Sequence, residues 1–159
     1  MSKEIRNIAL LGHQGSGKTM TAEALLYVSR NTTRFGHIIE GNTVSDYEAE
    51  EKSRQISIQT SLLPLLYQNY KVNILDTPGY LEFVGERMQA LQAADAAFIE
   101  VSARSGIKVG TERSFEAAKE KGVPITFVIN KIDKENSSFE KVYSELKERF
   151  GSNTVALQI

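Results

Sequence analysis

The stretch Gly12-His13-Gln14-Gly15-Ser16-Gly17-Lys18-Thr19 fits the spacing G-x-x-x-x-G-K-[ST] without a mismatch. Its three glycines let the chain turn tightly and bring bare backbone N–H groups close to a polyphosphate. Lys18 supplies a positive charge for the outer phosphates and Thr19 a hydroxyl for a magnesium ion. A helix starting near Gly17 aims its free N–H groups and the positive end of its dipole at the same anion. The flanks agree: Ile5 to Leu11 reads as a buried strand and Met20 to Arg30 as a helix, the setting this loop requires.

Outward from the loop, composition narrows the class. The chain has 159 residues, 41% apolar and 25% charged, which suits one globular domain with a proper core. A net charge of −1 supplies no basic field toward DNA or RNA, so direct DNA binding is not expected. No cysteine is present, which removes disulfides and thiolate metal sites. No apolar run is long enough to span a bilayer and Met1-Ser2-Lys3-Glu4 opens no signal peptide, so a cytoplasmic protein without membrane contact is expected.

In chain order, Asn31 to Ser53 has few apolar residues and no period, which predicts a functional loop. Within it, acidic Glu48 to Glu51 reads as a solvated face, and His37 stands alone. Ile56 to Tyr67 and Lys71 to Leu75 read as an antiparallel hairpin turning at Gln68-Asn69. Phe83 to Ala94 is a helix candidate, Ala96 to Val101 an apolar strand with Glu100 at its exposed end. Thr111 to Lys121 is a helix ended by Gly122, and Ile125 to Ile129 a further buried strand. Ser137, with a capping box to Glu140, opens a last helix whose stripe is Phe139, Val142, Leu146 and Phe150, stopped by Gly151. Apolar strands alternating with amphipathic helices specify an α/β fold, a mostly parallel doubly wound sheet with helices on both faces. Ligands in such sheets bind beyond the carboxyl ends of the strands, where all three motif loops fall.

The second of these loops is Asp76-Thr77-Pro78-Gly79. Asp76 ends its strand where a carboxylate can hold the magnesium ion through a water, and Gly79 allows a backbone N–H to reach a terminal phosphate. The third is Asn130-Lys131-Ile132-Asp133. The Asp133 carboxylate suits the ring N–H and exocyclic amine of guanine, donors that adenine lacks in that arrangement, and Lys131 can lay its stem along the base.

Together, Gly12 to Thr19, Asp76 to Gly79 and Asn130 to Asp133 resemble a translational GTPase, and the closer likeness is to elongation factor G. Asp46 to Ile58, ending Arg54-Gln55-Ile56-Ser57-Ile58, resembles that family's first switch, whose end is usually Arg-Gly-Ile-Thr-Ile, and Asp76 to Phe83 resembles its second. The resemblance implies a P-loop GTPase domain binding GTP or GDP with Mg2+ and working on the ribosome. It implies nucleotide contacts from His13, Gln14, Gly15, Ser16, Gly17, Lys18, Thr19, Asn130, Lys131 and Asp133. Metal contacts fall to Thr19, Ser57 and Asp76, and catalysis to Lys18, Gly79 and residue 80. His13 matches a family histidine and reads as scaffold. Arg54 and Arg87 flank the switches as candidate partner contacts, with ion-paired or solvated roles equally open.

Departures from the family pattern carry their own expectations. Ser57 stands where the family has threonine, keeping a hydroxyl but losing the methyl that steadies its rotamer. Gly15 replaces a loop aspartate, which puts a monovalent-cation site in doubt. Tyr80 replaces the histidine that positions the attacking water, and a phenol does not mimic a charged imidazole near neutrality. Relatives with tyrosine here resemble a divergent elongation factor G-like branch, so slow hydrolysis with ordinary nucleotide binding is expected. A binding switch with negligible hydrolysis stays open, whereas Asn130 to Asp133 argues against an ATPase. Residues 1–159 read as the N-terminal part of the domain, lacking its last strand and helix, with 154–159 the severed start of an insert subdomain. A monomer is expected. Tyr80 leaves binding untouched, but the family's Ser-Ala-type base-contacting loop has no match here, and losing that wall of the base pocket is expected to weaken nucleotide affinity.

Overall fold

The structure is a computed structural model and describes residues 4–151 and 154–157. Five strands form one sheet in the order β2-β3-β1-β4-β5. Strand β1 (Glu4–Gly12) lies between β3 (Tyr70–Asp76) and β4 (Ala96–Ser102), parallel to both, and β5 (Ile125–Asn130) runs parallel to β4. Only β2 (Ser61–Tyr67) is antiparallel, joined to β3 by a tight turn that pairs Tyr67 with Tyr70. Side chains alternate across β1, so Ala9 and Leu11 face one side and Leu10 the other. Ala9, Leu11, Ala97 and Ile99 pack on α3 (Val84–Ala93) and α4 (Val109–Glu120) through Leu91 and Ala118. Leu10, Leu63, Leu65 and Ile74 pack on α1 (Lys18–Val28) through Ala22 and Leu26. Val142 and Leu146 of α5 (Phe139–Phe150) close a third cluster with Val101. The sheet is thus covered on both faces, the doubly wound architecture expected from the strand and helix pattern.

Several local expectations are corrected. Residues 56–60 are not part of β2, which begins at Ser61. The preceding loop contains a short helix, α2 (Ala49–Arg54), and its Glu51 is buried rather than solvated. The Glu51 carboxylate accepts from the amides of Ile58 at 2.9 Å and Gln59 at 3.2 Å, so these amides bind a side chain instead of a strand partner. Glu23 of α1, equally buried, accepts from the amides of Gly36 and Val44 and fixes the earlier part of the loop. Both interactions are long-range, and no periodic signal in residues 31–53 announces them. The cap of α5 is Ser138, one residue later than expected, accepting from Lys141 N at 3.2 Å. Glu100 is not at an exposed end; it is fully buried. Arg87 is buried too, with its Nε unpartnered, whereas Arg54 is exposed and paired with Glu50 at 2.7 Å. Among the described residues the sheet's two edges are β2 and β5, and all six residues of β5 are only partly buried. Within 154–157, Val155 and Leu157 border an apolar groove beside β5, while Gln158 and Ile159 lie outside the described residues.

Candidate functional site

Parallel strands end on one side of the sheet, so the loops after β1, β3 and β5 converge there. The loop after β1 runs directly into α1, whose first turn has no side-chain cap and no acidic residue. Its leading N–H groups therefore have no carboxylate competing with an anionic ligand. Gly17 is in the left-handed region at φ 118°, and a Cβ there would overlap Nδ2 of Asn130, so the loop and the end of β5 touch only because no side chain intervenes. The Lys18 ammonium is buried, donating to the carbonyls of His13 at 3.2 Å and Gly12 at 3.4 Å. Burial pushes its pKa down, opposed by the carboxylates of Asp76 and Glu100. A buried cation held by two neutral carbonyls is poised for a polyanion.

Beside it lies a cluster of oxygen donors drawn from three separate segments. The Thr19 hydroxyl donates to Asp76 at 2.8 Å and stands 3.3 Å from the Ser57 hydroxyl. Ser57 in turn donates to Asp46 at 2.7 Å. Burial pushes the Asp76 carboxyl up to about 6, and its Oδ1 is buried without a partner. Two hydroxyls and a carboxylate with a spare lone pair fit a hard cation that keeps waters and phosphate oxygens for its remaining positions, as magnesium does. Among the described residues, no group of three or more His, Asp and Glu forms a self-sufficient metal cage. Phosphates would have to complete the coordination.

Gly79 of the second loop sits directly on the first. A Cβ on it would come within 2.6 Å of Gln14 Cα and of Lys18 Nζ, so glycine is required for the approach. Tyr80 follows, half-buried in the wall of a cleft of about 940 Å³. That cleft is also lined by Gln14, Gly15, Gly17, Lys18, Thr19, Ser57, Asn130, Lys131 and Asp133. Lys131 adopts φ 62°, its Nζ reaching Gly15 O at 2.6 Å, while its backbone N–H donates to Asn130 Oδ1 at 2.7 Å. Asp133 is fully exposed, and Lys134, 3.2 Å away, holds its carboxyl below the ordinary value.

Two expected nucleotide residues have side chains outside the cleft wall. The His13 ring packs against Gly110 at the start of α4, with Nδ1 buried and unpartnered, as a scaffold residue does. The Ser16 hydroxyl is likewise buried without a partner. Both leave only their backbone to the loop. The structure adds Asp46, Glu23, Glu51, Thr21 and Glu100, which sequence reasoning did not select. A lone carboxylate in an apolar strand was the only such signal, at Glu100. His37 packs edge-on against Phe35.

A phosphate loop and an Asn-Lys-x-Asp loop sharing one cleft, with a buried carboxylate at the end of β3 bonded to Thr19 of the first, define a guanine-nucleotide-binding P-loop domain. Residues 3–158 match the family described as the elongation factor Tu GTP binding domain, and the chain belongs to it. It is 37% identical over 155 residues to the tetracycline resistance protein TetM of Enterococcus faecalis, covering 98% of this chain and 24% of that protein. It is 34% identical over 157 residues to the mitochondrial ribosome-releasing factor 2 of Drosophila melanogaster, covering 99% of this chain and 21% of that protein. A solved structure from Thermus thermophilus is similar at a TM-score of 0.89 and 43% identity, over 93% of this chain and 22% of that one. The chain therefore spans about a quarter of the length of the curated relatives it matches. These likenesses agree with the resemblance to translational GTPases of the elongation factor G family read from the motifs.

Proposed function

We propose that residues 1–159 are the N-terminal part of the nucleotide domain of an elongation factor G-like translational GTPase that hydrolyses GTP slowly on the ribosome. Residues 154–159 open that family's insert subdomain in this reading. The observation that carries it is that Lys18 and Asp133, 115 positions apart, line one cleft. Phosphate charge is met at one end by Lys18 and the uncapped turn of α1, and the guanine donors at the other by Asp133. Asn130 and Lys131 tie the two ends together.

Thr19, Ser57 and Asp76 would hold Mg2+, with Asp46 steadying Ser57; the ion supplies charge neutralisation to the phosphates when bound. Gly79 offers its N–H to the terminal phosphate, and Lys18 stabilises the charge that develops on the phosphoryl oxygens during transfer. Tyr80 occupies the water-positioning place. Its phenol supports the prediction of slow turnover, because it carries no cationic proton donor to the attacking water. The full protein is proposed to be cytoplasmic and to act on ribosomes without membrane or DNA contact, with this part monomeric. Among the described residues no helix is long and apolar enough to cross a membrane.

Displacement of a fluorescent GDP by GDP but not by ADP tests the base reading. Single-turnover GTP cleavage with and without ribosomes tests the chemistry. Cleavage that ribosomes accelerate only modestly supports a slow GTPase. Tyr80 also favours a second reading, a GTP-dependent binding switch, which predicts GTP-dependent ribosome binding with no cleavage under either condition.

A further inference from the structure

We propose that Glu100 is a positioning residue for guanine recognition: its carboxyl group holds the Asn130 carboxamide and so fixes the spacing between the base loop and the phosphate loop. This rests on the guanine-nucleotide reading of the cleft and goes beyond the motif residues. Glu100 is fully buried in β4, two residues beyond Phe98 and therefore on the α1 side of the sheet. Its Oε2 accepts from Asn130 Nδ2 at 3.1 Å, and the same amide group donates to Thr21 Oγ1 at 3.1 Å. Both carboxamide hydrogens are thereby used inside the protein. The Asn130 Oδ1 that remains accepts from Lys131 N, and Lys131 reaches on to Gly15. Asn130 is thus a strut between β4, α1 and β5, abutting Gly17.

An apolar side chain at position 100 would bury at less cost than a carboxyl group, whose Oε1 here has no partner. What the carboxyl supplies is the acceptor for Asn130. Burial pushes Glu100 up to about 7, against the donors of Thr21 and Asn130 and the Lys18 ammonium, with Asp76 adding to the rise. Oε2 accepts the Asn130 N–H in either protonation state, so the strut does not depend on titration.

The test compares GDP and IDP, which lacks the exocyclic amine, by calorimetric titration of this chain and of the variants Glu100→Val, Glu100→Gln and Thr21→Val. Glu100→Val is expected to weaken GDP by about tenfold and to shrink the GDP-over-IDP preference by about threefold. Glu100→Gln, which keeps an acceptor, is expected to retain most of both. Thr21→Val removes the amide's other acceptor and should shift the preference in the same direction, which decides the matter if Glu100→Val fails to fold. An unchanged preference in the folded valine variants would overturn the proposal, as would a glutamine variant that loses as much as the valine one. If the parent chain itself binds no GDP, the fault lies with the guanine reading and not with Glu100.

Discussion

The Thr19 hydroxyl donates to the Asp76 carboxylate at 2.8 Å, joining the first turn of α1 to the end of β3 across 57 residues of chain. This bond brings the two motif loops to one point and leaves Asp76 Oδ1 buried without a partner. Asp76→Asn keeps the shape but removes the charge. Its expected effect is a loss of roughly tenfold or more in magnesium-dependent GDP affinity, with magnesium-free binding little changed. Titrations with and without chelator measure this, and equal magnesium dependence in both proteins would refute the assignment.

Gly79 tolerates no side chain against Gln14 and Lys18. Gly79→Ala should force the two loops apart and cost about 1–3 kcal/mol of stability. Urea unfolding checks it; an unaltered midpoint would mean that the second loop already moves freely.

Tyr80→His should raise ribosome-stimulated GTP turnover while leaving GDP affinity within about twofold, because imidazole restores a near-neutral proton carrier. A rate unaffected by the change would count against Tyr80 as the cause of slow hydrolysis.

Glu100 gives the domain a distinct pH signature. Its folded-state pKa is raised from 4.5 to about 7, so between those values the folded chain holds a proton that the unfolded chain releases. Its contribution is fully present below about pH 4.5 and is lost as pH rises through 7. The loss amounts to at most about 3 kcal/mol. Glu100→Gln removes this slope, so its stability relative to the parent should rise from pH 5 to pH 8. Parallel stability curves would exclude the shift.

Removal of the Glu51 carboxylate leaves the amides of Ile58 and Gln59 without their acceptor. Glu51→Ala should therefore cost about 1–3 kcal/mol and expose the loop before β2 to protease. Limited proteolysis followed by mass spectrometry locates the cut, and resistance equal to the parent's would show that the loop does not depend on Glu51.

The sheet's hydrophobic strands and the three motif loops were legible because each is a local pattern. Ile8 to Leu11 is a short apolar run, Gly12 to Thr19 has fixed spacing, and Asn130 to Asp133 follows a strand. The convergence of the loops followed from strand direction alone, and the structure bears it out. The loop of residues 31–58 was not legible, since, beyond the local cap on Glu48, Glu23 and Glu51 hold it through amides 7 to 21 positions away. Arg87 and Glu100 were misplaced for a related reason. Charge in an amphipathic or apolar segment ordinarily marks an exposed position, and only the packing of neighbouring elements says otherwise.

The sequence by itself determined the class of fold and the kind of ligand, because backbone conformation, strand period and base chemistry are written in neighbouring residues. Tertiary structure alone decided how the ends of the cleft are held together, through Thr19 with Asp76, Ser57 with Asp46, and Glu100 with Asn130. Hydrogen bonds between distant segments depend on where a buried polar group finds its partner, and no local pattern encodes that position.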